Sequence, residues 1–355
     1  MARDEWRGQA MTKRWKNRPA GSNWGEFGAD DQIGRLNLLT PAKVLEGIRE
    51  VREGRVFCLS LPLDHPGGTV LNPRRHPPEL RPTLRDGAPN MNYALARENP
   101  AYTDVVCDDT ALLTLQYSTQ WDSLAHMGQM FDADGDGIAE MVYYNGFRAE
   151  EHVIAHGDDR RSIHGATGAL ALGIETMAAA GVQGRGVLVD LNAHFGRSRA
   201  LVGYDELMRV MAADHVVVEP GDMLCLRTGF DELLLEMGGR PDPDLAHGSC
   251  TVLDGQDRRL LEWVTESGVA ALIADNYAVE DYPRDVGHAV EGPRAAFPLH
   301  EHCLFKLGIP LGELWLLSPL ARFLRGVGRS RFLLTAPPLR LPGAVGSPLT
   351  PVATL

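Results

Sequence analysis

The fold and the chemistry of this chain are decided by one stretch, Gln116-Tyr117-Ser118-Thr119-Gln120-Trp121-Asp122-Ser123-Leu124-Ala125-His126. Gln120 and Asp122 are two positions apart, so on an extended segment their side chains point to the same side. If the backbone instead turns into a helix near Trp121, Asp122 and His126 share one helical face because they are four positions apart. In either conformation the stretch can direct a carboxylate, an imidazole and amide oxygens into one small volume.

Asp122 and His126 are the first candidates for acid–base catalysis. A general acid or base works best when its pKa lies near ambient pH, as that of an imidazole does. A nearby carboxylate can raise this pKa and fix the tautomer of the ring. The structural alternative is an Asp that caps a helix and a His that packs at the surface.

The stretch resembles the signature of the cyclase family, which includes bacterial kynurenine formamidase and isatin hydrolase. That signature reads His-x-Gly-Thr-His-x-Asp-x-x-x-His. Thr119, Asp122 and His126 match it, and Ser118 takes the position of the glycine. Gln116 and Gln120 stand where the two other histidines are expected. In the family these two histidines and the Asp bind metal, and the last His transfers protons. The resemblance therefore implies the same roles for Asp122 and His126.

The resemblance covers the chain from about Trp24 to Pro337. The segments that carry it outside the motif are 24–25, 34–40, 184–190, 221–229, 274–280 and 299–315. It implies an α/β fold with a mixed, barrel-like sheet surrounded by helices. The residues agree, since apolar strand-like runs such as Val187 to Leu191 alternate with helical patterns such as Tyr204 to Ala213.

The resemblance also implies that His300 and Glu313 complete a metal site from the other side, with His302 as an alternative to His300. The ligand set is then Asp122, one His, Glu313 and the neutral amides of Gln116 and Gln120. Amide oxygens bind divalent transition metals poorly, so this set favours a hard divalent ion such as manganese or magnesium over zinc. The other possibility is that no metal binds and the glutamines contact the substrate directly.

Further residues are candidates for substrate contact. Trp121 and Tyr117 can stack on an aromatic substrate or belong to the core. Asp275, Asn276 and Glu280 follow an apolar strand-like run, where polar groups are typical of a pocket wall or of a turn that ends the strand.

Other motifs are excluded or weak. Asp132 to Gly137 resembles the first half of a calcium loop, but Tyr143 stands where that loop needs its bidentate Glu. We therefore interpret it as an acidic turn. The glycines around Arg185 fit neither phosphate-binding fingerprint, so we expect no nucleotide cofactor. No Gly-x-Ser-x-Gly elbow is present.

The composition and net charge limit the classes of partner that this chain can bind. With 355 residues and a net charge of −12, the chain is unsuited to nucleic acid or an anionic membrane as its main partner. The N-terminal stretch has no apolar core segment, and five scattered cysteines show no metal-finger spacing. We therefore expect a cytoplasmic protein with reduced thiols.

The organisation predicted from the sequence has three parts. Residues 1–22 form an N-terminal arm, 23–337 a single α/β domain, and 338–355 a Pro- and Gly-rich tail on the surface. Residues 64–103, rich in Pro, Arg and Asn, form a lid or a dimer contact. The arm and this segment favour a homo-oligomer.

The predicted function is that of a hydrolase that cleaves a C–N amide bond, in a formamide or a cyclic amide, of a small and possibly aromatic substrate. In this mechanism His126 transfers the proton of the attacking water, and Thr119 or a backbone amide stabilises the oxyanion. One alternative is a metal-independent cyclase, lactonase or dehydratase that uses Asp122 and His126. Another is a binding protein without catalysis.

Overall fold

The computed structural model describes residues 13–155, 167–282 and 292–355. Within these residues, nine strands form one curled, half-barrel sheet. In chain order the strands are β1 Val56–Cys58, β2 Gln120–Asp122, β3 Gln183–Asp190, β4 Met223–Arg227, β5 Ala271–Ala274, β6 Leu311–Glu313, β7 Arg331–Thr335, β8 Gly346–Pro348 and β9 Val352–Thr354. Their order across the sheet is β1-β9-β7-β3-β4-β5-β6-β2-β8. The predicted mixed α/β fold with a barrel-like sheet is confirmed.

The centre of the sheet is parallel. Strands β3, β4, β5 and β6 pair in parallel, and their residues are almost all buried, as expected of strands covered on both faces. At one end, β2 lies antiparallel between β6 and β8. Its register sets Gln120 opposite Glu313 and Asp122 opposite Leu311. The motif therefore enters the sheet beside the strand that carries Glu313.

Helices pack around this sheet. Their bounds are Pro41–Arg49, Ile174–Ala180, Asn192–Phe195, Tyr204–Ala213, Phe230–Glu236, Pro243–Gly248, Arg258–Ser267, Pro298–His300 and Ser318–Gly326, with a π-helical continuation at Glu301–Leu307 and short 3-10 turns at Gly34–Leu38, Leu95–Arg97 and Tyr144–Gly146. Thr40 caps the helix that begins at Pro41, because its hydroxyl accepts the backbone N–H of Lys43. No helix in the described ranges has both the length and the apolarity to cross a membrane.

Two-stranded ribbons lie outside the central sheet. The pairs are Glu79–Pro82 with Asp109–Leu112, Leu84–Arg85 with Ala88–Pro89, Tyr93–Ala94 with Val105–Val106, Gln129–Phe131 with Glu140–Val142, Val153–Ala155 with Thr167–Ala169, and Ala200–Val202 with Thr251–Leu253. Part of the irregular segment predicted at 64–103, between residues 79 and 94, thus forms short ribbons. The residues before the motif do not form one continuous strand: one strand ends at Leu112, and the motif strand begins at Gln120.

The predicted surface tail is wrong. Residues 346–348 and 352–354 are strands β8 and β9 of the central sheet, and Ala353 and Leu355 are fully buried. The proline and glycine content of this segment favoured a loop in the sequence prediction. However, β8 lies at the sheet edge, where a strand tolerates Pro. The C-terminal segment is therefore an integral part of the domain.

The described part of the N-terminal arm packs on its own chain. Trp15 is buried and meets Trp24 edge to face, with ring centroids 5.6 Å apart. The backbone N–H groups of Lys16 and Asn17 donate to the carbonyl of Ala133. Residues 1–12 of the predicted arm lie outside the described residues.

Candidate active site

Three side chains meet where β2 and β6 pair. The side chains of Gln120 and Asp122 lie on one face of β2, as their spacing predicts, and Gln120 Nε2 is 3.4 Å from Asp122 Oδ1. The same Nε2 donates to Glu313 Oε2 at 3.1 Å, across the strand pair. All three side chains are buried, with Asp122 and Gln120 at 0% exposure. One amide thus bridges two carboxylates in the interior.

His300 reaches this point from the helix Pro298–His300. Its Nε2 lies 3.4 Å from Glu313 Oε1, and its Nδ1 lies 2.7 Å from Glu280 Oε1. Glu280 also accepts the backbone N–H groups of Leu299 and His300, at 2.9 and 2.8 Å. Glu280 therefore fixes the ring from behind and turns Nε2 towards Glu313 and Asp122.

A strained turn positions Glu280. After β5 the chain passes through Ala278 and Val279, whose φ angles are +67° and +56°. This left-handed region is uncommon for residues with a side chain and costly for a β-branched one. The turn sends Tyr277 and Glu280 in different directions, Tyr277 into a cavity and Glu280 behind His300.

Asp122, His300 and Glu313 can hold a divalent ion. One ligand atom from each lies within 4.8 Å of the others. Asp122 Oδ2 is buried and has no hydrogen-bond partner, which is unusual for a carboxylate oxygen and suits a ligand position. The hydrogen bond from His300 to Glu280 is the arrangement that orients histidine ligands of metals. These residues fit a metal, and the amide of Gln120 is close enough to add an oxygen if it rotates.

The carboxylates of the site have different pKa values because their surroundings differ. Burial raises the pKa of Asp122, and the charge of Glu313 raises it further against the opposing charge of His126. Burial acts in the same direction at Glu313, but the hydrogen bond and charge of His300 outweigh it and lower that pKa. Burial alone would lower the pKa of His300, yet Glu280 and Glu313 together raise it to about 10.

His126 stands at the open side of this cluster. Its Nε2 is 3.8 Å from Asp122 Oδ1, and its ring is 21% exposed while Asp122 is fully buried. Gln116 Nε2 lies 3.0 Å from His126 Nδ1. If the amide nitrogen donates, His126 carries its proton on Nε2, whereas rotation that presents the amide oxygen leaves Nε2 free to accept one. The structure therefore places Gln116 as the group that selects the tautomer of His126.

The C-terminal segment supports this pair. Gly346 on β8 faces Gln116, and a Cβ built on Gly346 would lie 2.6 Å from the Gln116 side-chain carbon Cδ. A glycine is needed here because of this close approach, since any side chain would displace the amide that contacts His126.

A cavity of about 200 Å³ opens in front of the cluster. Its walls combine polar groups with aromatic rings. They comprise Thr69, Leu71, Asn72, Arg74, Arg75, Gln116, Tyr117, His126, Met127, Tyr277, Ala278, Tyr282, Phe297, His300, Glu313 and Leu314. The rings of Tyr282 and Phe297 are 5.2 Å apart and those of Phe297 and His300 5.4 Å, so an aromatic row leads to the ligand cluster.

Arg75 is the functional candidate that sequence reasoning missed. Its Nη1 donates to the carbonyl oxygen of Gln116 at 2.7 Å and lies 3.5 Å from Gln120 Oε1. It comes from the segment predicted as a lid or dimer contact, and Thr69, Leu71 and Asn72 of that segment also line the cavity. The signal available in the sequence was the Arg-rich composition of an irregular stretch next to an acidic motif.

Two residues predicted to contact substrate, Trp121 and Asp275, lie elsewhere. Trp121 points away from Asp122 into the core, where its Nε1 donates to the carbonyl of Ala336 at 2.8 Å. Asp275, at the end of β5, accepts the backbone N–H groups of Thr228 and Gly229 and is fully buried. These predictions are wrong because both side chains serve packing or backbone hydrogen bonding.

Asn276 and Glu280 also miss the cavity. Asn276 donates to the carbonyl of Thr251 at 3.0 Å and does not line the cavity. Glu280 supports His300 from behind instead of facing a substrate. Of the predicted substrate contacts, Tyr117 lines the cavity and anchors the irregular segment through its hydroxyl, which donates to the Gly68 carbonyl at 2.9 Å.

Thr119 and His302 have structural surroundings. The Thr119 hydroxyl donates to the Leu314 carbonyl at 2.6 Å and accepts the Leu61 N–H at 2.9 Å. It is fully buried and has no hydrogen left for an oxyanion, so the role predicted for it is wrong. His302 pairs with Thr265, and burial lowers its pKa to about 4. His300 is therefore the histidine that faces the cluster.

The acidic turn at 132–137 stays apart from the cavity. Oxygens of Asp132, Asp134 and Asp136 lie within 4.8 Å of one another. Asp132 accepts the backbone N–H groups of Gly135, Asp136 and Gly137, so the carboxylate stabilises the turn itself. This contact pattern is that of the exposed turn expected from the sequence.

Comparison with known proteins identifies the family. The family model described as "Putative cyclase" matches residues 59–281. A crystal structure of a novel cyclase is 30% identical, with a TM-score of 0.72, and the match covers 94% of this chain and 97% of that one. Among curated proteins, none matches the chain.

Isatin hydrolases share the fold. Isatin hydrolase A from Labrenzia aggregata, bound to benzyl benzoate, is 12% identical at a TM-score of 0.51, covering 84% of this chain and 93% of that one. An isatin hydrolase bound to the product analogue thioisatinate is 14% identical at a TM-score of 0.51, covering 88% and 94%. From the family model and the 30% identical structure, this chain belongs to the cyclase family.

Proposed function

We propose that this chain hydrolyses a C–N amide bond, in a formamide or a cyclic amide, of a small aromatic substrate. The observation that carries the proposal is the convergence of Asp122, His300 and Glu313 on one buried point, with His126 beside them. Membership of the cyclase family and the fold shared with isatin hydrolases support it. The aromatic row of Tyr282 and Phe297 fits a planar ring.

A divalent ion fits the cluster and would supply Lewis acidity, which polarises a carbonyl group. Two carboxylates and a single imidazole favour a hard ion, so we propose manganese before zinc. Asp122, His300 and Glu313 would hold it, and Glu280 would keep His300 Nε2 pointed at it.

His126 moves the proton. When the amide oxygen of Gln116 accepts the Nδ1–H of His126, the Nε2 atom of His126 is free to accept a proton from the attacking water. The Asp122 carboxylate at 3.8 Å stabilises the resulting imidazolium, and the ring then delivers the proton to the leaving nitrogen. The partial exposure of His126 lets it reach both water and substrate from the cavity.

A metal-free acid–base reaction is the second candidate, such as ring closure, lactone chemistry or dehydration. The observation that favours it is the amide of Gln120, which donates to both carboxylates at the position where the family signature has a histidine. Together with the raised pKa of Asp122, this arrangement suits a carboxyl group that donates its own proton.

The test is a panel of aryl formamides and cyclic amides, assayed with manganese, with zinc and with a chelator. We expect hydrolysis that the chelator abolishes and manganese restores. His126→Ala should lower kcat by about 10²- to 10⁴-fold without a change in Tm. His76→Ala, at an exposed position, is the matched control and should change neither.

Two outcomes overturn this assignment. The absence of hydrolysis across the panel under every metal condition excludes amide hydrolysis as the activity. Conversion of a lactone or a hydroxy acid that persists in chelator supports the second candidate instead.

Assembly as a homo-oligomer and residence in the cytoplasm stay predictions. The ribbon of Glu79–Pro82 with Asp109–Leu112 is exposed along both strands, with Leu80 at 71% and Leu112 at 65% exposure. An isolated two-stranded ribbon is marginally stable in water, so cover from a second copy would stabilise it. All five cysteines are free thiols, which is compatible with a reducing compartment. Sedimentation analysis would give the oligomeric state.

A further inference from the structure

Arg75 carries a permanent positive charge into the cavity beside the carboxylate cluster. Hydrogen bonds from its Nη1 to the Gln116 carbonyl and to Gln120 Oε1 fix the guanidinium at the cavity wall. Its own backbone N–H donates to the Asn72 carbonyl at 3.0 Å, which closes the turn that presents it. The position of the guanidinium is therefore set from both ends of the side chain.

Donors remain on this guanidinium. A guanidinium has five N–H groups, and both protein contacts of Arg75 use Nη1. Across residues 13–155, 167–282 and 292–355, no hydrogen bond is found from Nε or Nη2 of Arg75. Because Arg75 lines the cavity, these donors are available to a ligand there.

Two other side chains that could meet a negative oxygen, His300 and Thr119, are committed to protein partners. The His300 ring is held between two carboxylates, with Nδ1 2.7 Å from Glu280 Oε1 and Nε2 3.4 Å from Glu313 Oε1. The Thr119 hydroxyl donates to the backbone. Donors that are fixed in place where negative charge develops give the largest stabilisation of an acyl-transfer transition state. Arg75 meets this requirement by position and by charge.

We propose that Arg75 binds the negative oxygen of the reacting carbonyl and then the carboxylate of the product. The inference rests on the proposed amide hydrolysis. Water oxygen bonds to the carbonyl carbon while one water proton passes to His126, and the carbonyl electron pair moves onto the oxygen beside Arg75. That electron pair then re-forms the C=O bond as the C–N bond breaks, the nitrogen takes the proton from His126, and the acid formed loses its remaining proton to solvent as the carboxylate.

The experiment compares Arg75→Ala and Arg75→Lys with a control, Arg81→Ala. Arg81 lies in the same irregular segment and pairs with Glu79 on the exposed surface. Binding is measured by calorimetry with 2-aminobenzoate and with 2-aminobenzamide, two probes that share a ring and differ in charge. We expect Arg75→Ala to weaken the carboxylate at least tenfold and to leave the amide within twofold. Arg75→Lys should be intermediate, and the control unchanged.

Turnover provides the second readout. Arg75→Ala should lower kcat by about 10²- to 10³-fold with a smaller change in KM, as for loss of an oxyanion donor. Added guanidinium should restore part of the rate in this variant and none in His126→Ala. Because Arg75 is half-buried, Tm is recorded for each variant, and Arg75→Lys serves if the alanine variant does not fold.

The outcomes separate the two proposals. Equal affinity of wild type and Arg75→Ala for 2-aminobenzoate overturns the role of Arg75, whether or not amides are hydrolysed. Charge-selective binding through Arg75 in a protein that hydrolyses no amide supports the anion site and overturns the proposed function.

Discussion

Glu280→Gln tests whether Glu280 holds His300 in its ligand orientation. Glu280 Oε1 accepts two hydrogen bonds, from His300 Nδ1 at 2.7 Å and from the His300 N–H at 2.8 Å. Glu280 Oε2 accepts the N–H of Leu299 at 2.9 Å. A glutamine can retain its oxygen at the first position, but its NH₂ group then faces the Leu299 N–H and leaves it without an acceptor.

The expected cost follows from these contacts. A buried N–H without a partner costs about 1–3 kcal/mol. Removing one charge of a buried ion pair costs about 3–5 kcal/mol, and here His300 keeps its second carboxylate, Glu313, at 3.4 Å. We therefore expect Glu280→Gln to lose about 3 kcal/mol of unfolding free energy, near the lower end of the latter range. Metal affinity should fall by about 10- to 100-fold, as for other groups that orient histidine ligands.

Urea unfolding and manganese titration measure these two quantities. The matched control is Glu262→Gln, because Glu262 pairs with Arg258 on the surface of a helix at 2.8 Å. Loss of that exposed pair should cost about 0.5 kcal/mol or less. If Glu280→Gln has the same unfolding free energy as the control and binds manganese as tightly as wild type does, Glu280 does not orient His300.

Three further outcomes are expected. Trp121→Ala should destabilise the fold by about 3–5 kcal/mol in urea unfolding while the KM of the remaining folded enzyme stays unchanged, because Trp121 is core; a raised KM at unchanged stability would restore its role as a substrate contact. Gly346→Ala should lower kcat by displacing Gln116, whereas Gly326→Ala, which has open space, should not, and equal rates for the two variants would show that Gln116 is not needed. Since His300 has a pKa of about 10 without metal, a manganese ion must displace its proton in order to bind. Manganese affinity should therefore rise about tenfold per pH unit between pH 7 and 9, with one proton released, as measured by calorimetry in two buffers. A pH-independent affinity would exclude His300 as a ligand.

The sequence predicts the fold class and the cluster well. Period-two spacing correctly sets Gln120 and Asp122 on one face, and the resemblance to the cyclase family places His300 and Glu313 beside Asp122 although they lie far along the chain. Helices with a clear apolar period, such as Tyr204–Ala213, agree residue for residue. These features could be predicted because they follow from local residue spacing or from the resemblance to the family.

Other features depend on tertiary contacts that no local pattern reveals. Whether Trp121 stacks on substrate or packs in the core depends on which face of β2 it takes. Its hydrogen-bond partner is the carbonyl of Ala336, which follows β7 far along the chain. Glu280 follows the cavity residue Tyr277 closely in the chain, but the left-handed residues Ala278 and Val279 turn it behind His300. Arg75 reaches the site from an irregular segment whose path is set by its contacts with the motif.

The C-terminal segment shows the same limit. Its prolines and glycines favour a loop by composition, yet β8 and β9 belong to the central sheet. The pairing of β8 with β2 buries Gly346 against Gln116, a contact between residues far apart in sequence. Such long-range pairing decides the structure where local propensity is weak.

Metal content of three purified proteins tests the central claim most directly, namely that Asp122, His300 and Glu313 hold one ion while His126 works beside it. Wild type, Asp122→Asn and His126→Ala are loaded with manganese, freed of excess ion and analysed for manganese per chain. We predict one ion per chain in wild type and in His126→Ala, with hydrolysis in wild type alone, and no retained ion in Asp122→Asn. Equal manganese in wild type and Asp122→Asn, or no manganese in any of the three, would contradict the assignment of this cluster as the metal site.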